Sequence, residues 1–100
     1  MDQYSEKLIS HKLVVSSLKK EEEGIIIRGG TAIKPVEELE GFGVINILEG
    51  PFIISQQEDK WLLQCNTLHL ETYEKICNSF EEAVNELVDK YIAIGFLPSK

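Results

Sequence analysis

One hundred residues, 43% hydrophobic and 27% charged, suit a single folded domain spanning 1–100, able to bury roughly 60–65% of the surface its unfolded chain exposes. The net charge of −7 is spread evenly, nine acids against six bases in the first fifty residues and eight against four in the second. A binder that neutralises phosphates needs a basic face, so nucleic acid is not an expected partner. No apolar run approaches the ~18 residues of a membrane helix, so no membrane association is expected. The first six residues lack the basic and apolar regions of a secretion signal. The expected compartment is therefore the cytoplasm, with Cys65 and Cys77 reduced.

In chain order, residues 3–22 read first as a helix, with Tyr4, Leu8, His11, Val15 and Leu18 on one stripe. The alternative is a short helix to about Ser10 and then a strand, Lys12 to Lys19, turning through Lys20–Glu23 to pair with Gly24–Arg28. Val14, Val15, Ser16 and Ser17 favour that strand. Ile25–Ile26–Ile27, bounded by glycines, is a β-branched strand. Thr31 to Glu40 reads as a connection in which Pro35 opens one helical turn, and Val44 to Leu48 reads as the next strand. Phe52–Gln56 and Trp61–Cys65 form a hairpin across the polar residues 57–60. Residues 68–77 follow as a strand, with Leu68, Leu70, Thr72, Glu74 and Ile76 on one face and His69, Glu71, Tyr73, Lys75 and Cys77 on the other.

The last third is an amphipathic helix, 78–92. Ser79 and Glu82 form a capping box, and Phe80, Ala83, Val84, Leu87, Val88, Tyr91 and Ile92 make the apolar stripe. Gly95 supplies the left-handed exit and Pro98 bars a restart. The expected fold is α+β: an antiparallel sheet of three to five strands, the C-terminal helix packed on one face, and an additional N-terminal helix.

Chemistry is sparse. The Arg28–Gly29–Gly30–Thr31 loop, with the chain's one arginine, is the candidate anion or carboxylate cradle. His69, Glu71 and Tyr73 alternate on a strand at ~7 Å and form a candidate proton-sharing face, although a solvated sheet face shows the same pattern. Cys65, His69 and Cys77 match no established ligand spacing, so no metal or other cofactor is expected. No nucleophile elbow, P-loop or dinucleotide fingerprint occurs, so an enzyme is not the leading class. Phe42, Trp61, Tyr73, Phe96 and Leu97 are candidate apolar contacts, and Glu81, Glu82, Glu86 and Asp89 form an acidic helix face suited to a basic partner.

The expected function is protein–protein interaction, as a regulator, inhibitor, immunity or antitoxin-like protein, or accessory subunit. Strand-edge pairing or helix-face packing offers a route to a homodimer. The alternatives are an anion- or small-molecule-binding domain or small enzyme built on Arg28–Thr31, and an acidic mimic of nucleic acid.

Overall fold

The computed structural model describes residues 2–39, 43–66 and 72–98, with side-chain detail for 2–31, 50–65 and 72–98. The chain runs α1 (Gln3–Ser10), β1 (Val14–Glu21), β2 (Gly24–Gly30), β3 (Ala32–Leu39), β4 (Gly43–Glu49), β5 (Phe52–Gln57), β6 (Lys60–Asn66), β7 (Thr72–Cys77) and α2 (Phe80–Ala93). Five strands form one antiparallel sheet in the order β1-β2-β5-β6-β7, while β3 and β4 pair separately as a two-stranded ribbon between β2 and β5. This is the α+β arrangement the patterning implies.

The helix α2 forms where its local signals place it. The Ser79 hydroxyl accepts from the Glu82 N–H at 3.1 Å, and the Glu82 carboxylate accepts in return from the N–H of Asn78, one residue before the cap. Gly95 leaves the helix at φ 87°, and the N–H groups of Phe96 and Leu97 close on the Tyr91 carbonyl. Ala83, Val84, Leu87, Val88 and Tyr91 are buried against Ile27, Ile54, Leu63, Cys65 and Cys77, with Phe80 and Ile92 half-buried at the margin. Helix α1, capped by Asp2 through the Ser5 N–H at 2.8 Å, lies on the same side, where Tyr4, Trp61 and Phe80 meet with ring centroids 4.9–5.6 Å apart.

Two expectations are corrected. Residues 3–22 are not one helix: α1 stops at Ser10, Lys12 takes φ 67°, and β1 pairs with β2 as the alternative reading has it. The helix-like spacing has a physical source. The ladder shifts register between Val15 and Ser17, so Val15 and Leu18, three residues apart, pair with Gly29 and Ile27 on one side of the sheet. A bulge thus mimics the period of a helix. The second correction is at residues 31–40, where β3 replaces the connection. Pro35 stands opposite Asn46 in a ribbon whose strands are both edges, a place where a missing N–H is tolerated.

Candidate interaction surface

The register sorts the five-stranded sheet into two sides. Leu18, Ile27, Ile54, Leu63 and Lys75 make one row across it, and Val15, Gly29, Phe52, Cys65 and Tyr73 make another on the same side. Ile27, Ile54 and Leu63 in these rows are fully buried, because α1 and α2 cover them. The interleaved rows face the other way: Lys19, Ile26, Ser55, Leu62 and Ile76, then Ser17, Arg28, Ile53, Gln64 and Glu74. Ile26, Ile53 and Leu62 are half-buried, Arg28 and Glu74 are exposed, and Ile76 is 70% exposed.

Isolated exposed aliphatics are ordinary on any surface. Here one exposed aliphatic, Ile76, adjoins three half-buried ones. Ile26 and Leu62 flank Ser55, Ile76 lies beside Leu62, and Ile53 precedes Ser55 by two residues on β5. A contiguous apolar patch of this kind, rimmed by Lys19, Arg28 and Glu74, is the usual mark of a contact surface. Two shallow depressions lie on this side. One of about 240 Å³ is lined by Gln57, Glu58, Lys60, Leu62 and Ile76, and one of about 150 Å³ includes Glu21, Ile26, Ser55 and Gln57. On the helix side, a cleft of about 240 Å³ opens between Ser10–Lys12 and Val88, Ile92, Leu97 and Pro98. Each of these three is below the ~300 Å³ at which ligand pockets usually begin, while a wider depression of about 500 Å³ at the turns is lined by Glu23, Gln56, Gln57 and Glu58, polar residues without an apolar wall.

Of the sequence-derived ligand-site residues that are described, Arg28 on β2 and Tyr73 on β7 face opposite sides of the sheet. Arg28, Gly29 and Gly30 are strand positions and not a loop: Gly29 pairs with Val15 and Phe52, Gly30 pairs with Val14, and the Arg28 carbonyl accepts from the Ser16 hydroxyl at 3.1 Å. Backbone amides engaged in a ladder do not converge on an anion. Thr31 follows as a bend beside Gly50. His69 and Glu71 lie outside the described residues, as does Phe42. Tyr73 is on the covered side, not on a solvated one. Its hydroxyl lies 3.3 Å from the Glu86 carboxylate, and Lys90 of α2 sits 4.7 Å from its ring centre.

Several contact candidates are structural. Trp61 is 7% exposed within the aromatic cluster, Leu97 is 8% exposed, and Phe96 packs edge-on against Tyr91. Cys65 and Cys77 are free and buried, and burial raises both thiols above their ordinary pKa. Cys65 pairs across from Tyr73, whereas Cys77 pairs with Trp61, four residues (~13 Å) away along β6. That separation rules out a bridge or a shared tetrahedral metal.

The acidic helix face is also partly committed. Glu86 lies 2.8 Å from the Lys75 ammonium, Glu82 caps the helix, and Glu81 is 3.8 Å from Lys7, while Asp89 is exposed. The Lys75 hydrogen bond lowers the Glu86 pKa below 4.5, and the reciprocal bond raises that of Lys75 above 10.5. A lowered carboxylate stabilises the fold above its unfolded pKa, and that contribution is lost as pH falls through the folded value. The raised lysine contributes below its unfolded pKa and loses that contribution as pH rises through its folded value. Glu86→Gln should therefore show a constant deficit between about pH 6 and 9 that disappears on acidification below about 4.5. Urea melts of both proteins across that range measure it.

Sequence reasoning missed the open sheet face because Ile53 and Ile54, or Leu62 and Leu63, look alike in a linear pattern; only the pairing register separates the covered member from the bare one. Comparison with known protein families, curated proteins and solved structures finds no match.

Proposed function

We propose that this protein acts by binding another protein, as a regulator, inhibitor or accessory subunit, and that the open sheet face is its contact surface. The carrying observation is the contiguous Ile26, Ile53, Leu62 and Ile76 patch on the side away from both helices. Burying such aliphatics stabilises a complex by about 25 cal/mol per Å² of apolar area, less the cost of association. Lys19, Arg28 and Glu74 at its margin supply orientation. Two unbridged cysteines support the cytoplasm as the compartment.

The test compares wild-type and Leu62→Arg/Ile76→Arg proteins as baits in extract of the native host, with circular dichroism confirming that both are folded. Stoichiometric capture of one protein by wild type, lost in the variant, is the expected result. Equal capture by both would move the contact elsewhere and contradict the reading.

A further inference from the structure

We draw no further inference here: the strongest candidate, the aliphatic patch of Ile26, Ile53, Leu62 and Ile76 on the open sheet face, belongs to the contact surface already described, and nothing in the structure shows what covers it.

Discussion

Gly29→Ala should lower unfolding free energy by about 3 kcal/mol or more, a large part of the ~5–15 kcal/mol typical of a folded domain. A Cβ at Gly29 would stand 2.0 Å from the Val14 carbonyl oxygen and 2.8 Å from the Phe52 ring. The first obstacle is backbone and cannot rotate away. Gly29 lies between Val15 and Phe52 on the covered side, next to the β1 bulge, so relief requires β1 to move off β2. That movement would also displace Lys19 and Ser17 from the open face. Urea melts measure the loss, and a variant within about 0.5 kcal/mol of wild type would contradict the close approach of β1 and β2.

Tyr91→Ala should cost about 3–5 kcal/mol and Tyr91→Phe about 1–3 kcal/mol. Tyr91 is fully buried, its ring packs at 5.3 Å and 76° against Phe96, and its hydroxyl donates to the Gly50 carbonyl with the Pro51 carbonyl 3.2 Å away. This bond ties α2 to the turn where the chain returns from the ribbon to β5. Phenylalanine keeps the packing and strands a buried acceptor; alanine also leaves a cavity. Burial raises the phenol's pKa far above its ordinary value, so the hydroxyl remains a donor throughout the physiological range. Chemical denaturation of both variants separates the two contributions, and a Tyr91→Phe protein as stable as wild type would show that the hydrogen bond carries none of the stability.

The legible parts of this fold were those with local causes. The cap at Ser79, the exit at Gly95 and the stripe of α2 are written within a few residues of where they act, and the β5–β6 hairpin is marked by a polar turn between apolar runs. The turn is tighter than the 57–60 loop read from sequence, because Gln57 and Lys60 already pair and Glu58 takes φ 57°. What escaped depends on distant partners. The β1 bulge disguised a strand as a helix, and β3 is held by pairing with β4 despite Pro35, which lacks an N–H to give. On β7 the usual alternation misleads: the polar Tyr73 and Lys75 face α2, where Glu86 meets both, and the aliphatic Ile76 faces outward. The Arg28–Thr31 segment reads as a glycine loop in isolation, and only the ladder with β1 and β5 shows why glycine stands at 29.

These inversions bear directly on function. A sheet that pairs polar groups with its own helix and leaves Ile76, Leu62, Ile53 and Ile26 on the other side is the basis for proposing that side as the contact surface.

The most direct measurement is methyl NMR of the dilute protein with a soluble paramagnetic gadolinium chelate. The account predicts the strongest broadening at the Ile76 methyls, clear broadening at Ile26, Ile53 and Leu62, and none at Ile27, Ile54 and Leu63. Protection of Leu62 and Ile76 equal to that of Leu63 would show the face covered within a single chain, contradicting the contact surface.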